Sequence, residues 1–191
     1  MRRSPESVID VRAVGADEWP LWRDLRLEAL REAPDAFGAS LVEWQGEGDT
    51  ETRWRARLST VPFNAVAYLH GVPAGMASGT ALDEDGTSEL ISMWVAPFAR
   101  GHGVGEALVA AVIARAPEEG ATMLALDVVE GNAPAWALYR RCGFVDAGPA
   151  GFNPSGLPER RMVRPIIPSW KSLHGFTFPR SAGSPMGNRK R

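Results

Sequence analysis

A strand signal over residues 89–95 passes through Pro97 into Arg100-Gly101-His102-Gly103-Val104-Gly105, and that turn opens straight into a helical pattern over residues 104–116. Few arrangements accommodate such a junction. Pro97 ends the strand, because it lacks an N–H and restricts the residue before it. The glycines permit positive φ and close approach of backbone to a ligand, so several amides can converge on one anion. The helix start adds unpaired N–H groups and the positive end of its dipole. The segment is therefore expected to hold a phosphate or pyrophosphate. Its spacing excludes two familiar versions. No Lys-Ser or Lys-Thr follows the glycines, as a nucleoside-triphosphate loop requires, and the alternating Gly101, Gly103 and Gly105 do not fit the G-x-G-x-x-G dinucleotide pattern.

The flanking periodicities supply an element order. Residues 7–14 alternate apolar and polar as a half-buried strand does. Asp17 is a candidate cap for a helix whose first turn holds Pro20, with Leu21, Trp22, Leu25 and Ala29 on one face. Asp49 or Thr50 would cap a second, shorter helix, in which Trp54 and Leu58 pair four apart. Residues 63–69, 74–80 and 89–95 read as a three-stranded meander, joined by turns at His70-Gly71 and Asp85-Gly86. After the glycine-rich junction come a buried strand (122–128), a helix (133–141), a strand starting at Phe144 and a last strand near residues 161–164. Strand–helix–strand alternation in the second half requires a parallel crossover. The fold class is α+β or α/β, with a single mixed central sheet of about seven strands flanked by helices.

Composition narrows the function. The 191 residues suffice for one domain with a tail: residues 1–165, then a basic tail over 166–191. Phe176-Thr177-Phe178 in the tail alternates like an edge strand, so partial docking on the body or a second subunit is expected, with disorder beyond. All 23 acidic residues lie at or before Glu159, whereas the last 32 residues hold eight basic side chains and no acidic one. An acidic body argues against a nucleic-acid-binding domain, which needs clustered positive charge. One cysteine and three histidines fit neither a disulfide framework nor a zinc site, so no metal is expected. The apolar runs are too short to span a bilayer, and Met1-Arg2-Arg3-Ser4 leads into no secretory core; the expectation is a cytoplasmic protein.

The junction also carries a resemblance. Arg100-x-x-Gly103-x-Gly105, preceded by Val95-x-Pro97, is similar to the acyl-CoA-binding motif of the GNAT superfamily of N-acetyltransferases. Asn132-Ala133-Pro134-Ala135, Leu138-Tyr139 and Cys142-Gly143-Phe144 match that family's second motif, and Arg26-Leu27-Glu28-Ala29-Leu30, Pro34, Phe37 and Trp54 look like its first helices. The resemblance covers roughly residues 8–165. It implies a GNAT fold in which the fourth and fifth strands splay apart around coenzyme A, with acetyl-CoA as co-substrate. It further implies that Gly101, His102, Gly103, Val104 and Gly105 hold the pyrophosphate together with Arg100. Met93 and Val95 would pair with the pantetheine arm, and the amide near Trp94 or Val95 would face the thioester oxygen. Asn132 would cap its helix and touch the pantetheine.

Acyl transfer from a thioester to an amine needs a base for the amine and a donor for the thiolate. The resemblance implies Tyr139 as the general acid and Glu89 as the base; a plain packing role for Tyr139 and a plain strand-end role for Glu89 stay open. Strand alternation puts Glu89 on one face with Ile91 and Met93, opposite Leu90, Ser92 and Trp94. His102 is expected to meet solvent or phosphate, and Cys142 to be a small buried residue. The acceptor site is implied at Trp22, Arg26, Glu28 and residues 35–48 with Trp44. Glu43, Glu47, Asp49 and Glu51 give that region a negative bias, which would favour a cationic amine. The activity implied is acetylation of a primary amine on a small molecule or peptide, by direct attack in a ternary complex. Protein lysine or N-terminal acetylation, and a non-catalytic acyl-CoA sensor, are the alternatives; a homodimer is possible.

Overall fold

The computed structural model describes residues 9–166. Residues 7 and 8 of the first strand and the tail reading, including Phe176-Thr177-Phe178, lie outside the described residues. Seven strands form one mixed sheet: β1 (Ile9–Ala13), β2 (Phe63–Leu69), β3 (Val72–Gly79), β4 (Thr87–Val95), β5 (Met123–Val129), β6 (Val145–Phe152) and β7 (Pro158–Pro165). Their spatial order is β1-β2-β3-β4-β5-β7-β6. Every neighbouring pair is antiparallel except β4 and β5, which α4 (Val104–Arg115) connects by a crossover.

Period-2 alternation divides the core between two faces. On β2, Ala65, Ala67 and Leu69 join Val104, Leu108, Val109 and Val112 of α4, while Val66 turns the other way. That opposite face lies under α1 (Trp19–Glu32) and α3 (Glu51–Thr60), where Trp22, Leu25, Leu30, Trp54 and Leu58 pack on Met76 and Trp94. Gly75 permits this close layering: a Cβ there would come within 2.6 Å of the Trp94 carbonyl oxygen and 3.0 Å of Leu108 Cδ1.

The helix starts differ in part from the sequence reading. Asp17 does not cap α1; it lies in a short 3₁₀ turn and pairs with Arg55, while the Glu18 carboxylate accepts from the Gly15 amide. Thr50, not Asp49, caps α3, its hydroxyl accepting from the Arg53 amide. A one-turn helix, α2 (Leu41–Trp44), adds a third helix before β2. The last two strands are longer than expected and form a hairpin, with β7 inserted beside β5.

The expected alternation on β4 is also broken. Met76 pairs with Trp94 and Ser78 with Ile91, so Ala77 faces both Ser92 and Met93. Ser92 sits at φ +55, in the left-handed region. This bulge resets the side-chain phase. Leu90 therefore packs with the α4 core and Trp94 with the α1 core, not on one face as regular pleating required.

Candidate active site

Beyond the bulge the sheet opens. β4 and β5 pair in parallel at Thr87↔Met123, Ser88↔Leu124 and Glu89↔Ala125, and then part. β5 continues to Val129 against β7, and β4 continues to Val95 against β3. Amides on a strand point alternately to its two sides. Ala96 donates to the Ala74 carbonyl on β3 at 2.9 Å, so the Val95 amide points into the gap and the Trp94 amide does not. The Val95 carbonyl, also on the gap side, accepts from Arg100 Nε at 3.0 Å.

A cavity of about 540 Å³ lies at the open end of the gap. Nine of the residues singled out for cofactor binding line it: Met93, Trp94, Val95, Arg100, Gly101, Gly103, Gly105, Asn132 and Tyr139. Gly101 and Gly103 adopt φ of +78 and +86, conformations that L side chains rarely take. Gly105 has a different reason to be small: a Cβ there would approach Leu138 Cδ2 of α5 (Ala133–Arg141) at 3.1 Å. Val104 turns its side chain into the core at 1% exposure, leaving its backbone for the loop. His102 is exposed, its Nδ1 2.9 Å from the Arg100 carbonyl oxygen. Asn132 Oδ1 accepts from the Ala135 amide at 3.3 Å and so caps α5 at the cavity wall.

Arg100 reaches the cavity but is already engaged. Its Nη2 lies 2.7 Å from Glu32 Oε2, which also accepts from Trp94 Nε1 at 3.1 Å. The Arg100 hydrogen bond, more than that of Trp94, holds the Glu32 carboxyl below its ordinary range. The loop is thus stitched to the end of α1 and to β4. The structure adds Arg141, one turn beyond Leu138 on the cavity side of α5 and paired with Glu106 at 2.7 Å. Its helical spacing from Ala135 and Leu138 was the sequence signal for that placement.

Tyr139 stands where this cavity meets a second one of about 390 Å³, and lines both. It is 8% exposed and packs edge-on to Phe144, with ring centroids 6.0 Å apart. Burial, with a smaller contribution from Cys142, pushes its phenol well above the ordinary range, so it remains protonated. Burial likewise raises the Cys142 thiol, contrary to what a nucleophile needs.

The second cavity has a basic end and an acidic wall. Arg26 and Arg57 supply the first, with Phe37, Trp44 and Ser92 nearby; Glu89, Asp127 and Glu159 supply the second. Glu89 is not an isolated carboxylate at a desolvated strand end: Arg161 Nη2 meets its Oε1 at 2.6 Å and also pairs with Asp127. Glu159 has no ion-pair partner among the described residues, and burial, followed by the nearby Asp127, raises its carboxyl. Arg57 was not anticipated as a site residue. Its only sequence signal was a cation beside Leu58 and one turn after Trp54, on the buried side of α3.

Of the expected acceptor region, Arg26, residues 36–39 and Trp44 line the second cavity, but its acidic residues lie elsewhere. Asp49 binds Arg23 and Trp54 Nε1, Glu51 pairs with Arg55, and Glu43 accepts from Ser40. None of these three, nor Glu47, lines the cavity beside Tyr139; Asp49 and Glu28 border a separate, wide-open groove. Trp22 is core, at 1% exposure.

Residues 19–144 match the family described as acetyltransferase (GNAT) family. An IAA acetyltransferase of Azospirillum brasilense is 35% identical over 86 residues, which are 45% of this chain and 56% of that protein. The match thus spans little more than half of that relative's length. Among solved structures, a GCN5-related N-acetyltransferase from Kribbella flavida is 25% identical, with a TM-score of 0.67 over 85% of this chain and 100% of that one. YncA of Salmonella typhimurium, solved with its cofactor acetyl-CoA, shares the fold at 18% identity and a TM-score of 0.67, over 92% and 100% of the two chains. Among the described residues no helix is long and apolar enough to cross a membrane.

Proposed function

This chain belongs to the GNAT acetyltransferase family, and from that premise we propose that it transfers an acetyl group from acetyl-CoA to an amine held in the cavity beside Tyr139. The observation that carries the reading is the parting of β4 from β5 after Glu89, with the glycine loop at one end of the gap and a second cavity at the other. The amides of residues 101–105 would receive the pyrophosphate, aided by the dipole of α4. The free edge of β4 would pair with the pantetheine arm as an added strand does. The Val95 amide would then face the thioester carbonyl.

The chemistry follows from the cavity walls. An ammonium arriving in the second cavity gives one proton to the acidic wall. Glu159 is the member best suited, because its carboxyl is raised and carries no ion pair, whereas Glu89 is held by Arg161. The free amine attacks the carbonyl carbon, and the developing oxyanion is stabilised by the Val95 amide. Collapse re-forms the carbonyl, breaks the C–S bond and expels the thiolate. Tyr139, kept protonated by burial, supplies the thiolate's proton and recovers one from the nitrogen. The products are an N-acetyl amine, free CoA thiol and one released proton.

The test is release of CoA thiol from acetyl-CoA against amine, amino-acid, aminoglycoside and peptide panels. Acetyl-CoA binding and amine-dependent thiol release are expected. Absence of both from folded protein would refute the reading.

A further inference from the structure

Arg26 is a buried cation without an anion. The residue is 9% exposed, it lines the second cavity, and its Nη1 is buried with no hydrogen-bond partner among the described residues. Its guanidinium rests on the Phe37 ring, 4.5 Å from the centroid, which satisfies the flat face of the group but none of its N–H donors. Arg57 stands close by and is bonded to neutral acceptors alone: Asn64 Oδ1 at 3.1 Å, Ser92 Oγ at 3.1 Å and Ser78 Oγ at 3.4 Å. No carboxylate pairs with either arginine among the described residues. The two like charges repel, and burial followed by that repulsion lowers Arg26 to about 10, while burial lowers Arg57 to about 10.

Buried charges are ordinarily paired, and a guanidinium fork matches a carboxylate best. Here the missing partner faces a cavity, and that cavity meets the gap at Tyr139 and Met93. The same lining carries Glu89, Asp127 and Glu159; Arg161 pairs with the first two, and Glu159, with no ion-pair partner among the described residues, is left as the complement of an ammonium. The bulge takes part as well, since its left-handed turn at Ser92 aims the hydroxyl at Arg57.

We propose that Arg26 and Arg57 form an anion subsite of the acceptor cavity, and that the acceptor is a small amine that also bears a carboxylate, as an α-amino acid does. This deepens the acetyl-transfer reading and rests on it. The carboxylate enters between the arginines, and the amine faces the acidic wall and the thioester. Transfer forms the C–N bond and breaks C–S, with the ammonium's protons leaving as described above. It removes the positive charge that the acidic wall holds, so the N-acetyl product keeps one of its two anchors and leaves more readily.

The test compares α-amino acids with their own α-carboxamides and decarboxylated amines as acceptors for the wild-type protein. The kcat/KM is expected to favour the carboxylate by about 10-fold or more, the range of a charge-assisted hydrogen bond. Arg26→Gln should reduce that preference to about 2-fold while leaving acetyl-CoA affinity in calorimetry unchanged. Should Arg26→Gln not fold, Arg26→Lys, which keeps the charge and loses the fork, is expected to retain part of the preference. Carboxamides or plain amines acetylated as well as the acids would overturn the anion subsite and leave the transferase reading standing. If no acceptor turns over, thermal shifts decide: stabilisation by an amino acid and not by its carboxamide supports the subsite, and equal shifts overturn it.

Discussion

Replacing Arg26 by methionine should make the protein more stable, although it deletes a side chain packed in the interior. Methionine retains a flexible apolar stem against Phe37 and removes a charge with no counter-ion. The folded structure lowers the Arg26 guanidinium by more than two pH units from its ordinary value, to about 10, with burial the larger cause and Arg57 the smaller. At 1.36 kcal/mol per pKa unit, that is a penalty of about 3 kcal/mol on the charged form. Stacking on Phe37 returns about 1–2 kcal/mol, which methionine forfeits in part. The net gain is about 1–2 kcal/mol, or about 3–6 °C in Tm for a domain of this size. The sign with pH follows. A cation whose folded pKa lies below its unfolded value is penalised in full below pH 10 and is relieved as pH rises above 10 towards the ordinary arginine value. Urea unfolding at pH 7, followed by tryptophan fluorescence and checked by calorimetry, measures the difference without added ligand. A loss of about 3 kcal/mol or more would refute the reasoning, because that is the signature of breaking a compensated buried pair.

Gly103→Glu places a carboxylate, on a residue strained at φ +86, where the pyrophosphate is proposed to sit; acetyl-CoA binding in calorimetry should disappear. Tyr139→Phe should lower kcat by about 10²-fold or more with little change in the KM for acetyl-CoA, and an unaltered rate in steady-state kinetics would leave Tyr139 a packing residue. Asp49 is lowered to about 2 by its hydrogen bonds to Arg23 first and Trp54 second. Its contribution to stability is therefore full above the unfolded value near 4 and lost as pH falls towards 2. Asp49→Asn should reduce Tm at pH 7 and flatten the fall of Tm in acid, as a series of melts between pH 2 and 7 would show.

The parts of the molecule that local chemistry dictates were legible in the sequence. The junction at residues 95–105 follows from the placement of proline and glycine, and the order of long elements follows from periodicity. What escaped depends on contacts distant along the chain. Nothing near Ser92 announces a bulge, since it arises from the mismatch between β3 and β4. The same shift sends Leu90 and Trp94 to different cores, which alternation alone could not give. Glu43, Glu47, Asp49 and Glu51 looked like one acidic surface because sequence shows sign and not partner; Arg23 and Arg55 answer two of them. Arg57 was missed for the converse reason. A cation in a helix reads as solvated until the fold shows which face it occupies.

The shortness of the β4–β5 junction reaches beyond chemistry. Among the described residues, three parallel pairs join a four-stranded leaf to a three-stranded one along the sheet. A molecule lodged in the slit and bonded to both leaves acts as a brace, and occupancy becomes coupled to the folding equilibrium. At a concentration 100 times its Kd, such an occupant adds about 2.7 kcal/mol. The persistence of this protein would then rise and fall with the supply of whatever fills the slit, even when no acceptor is present.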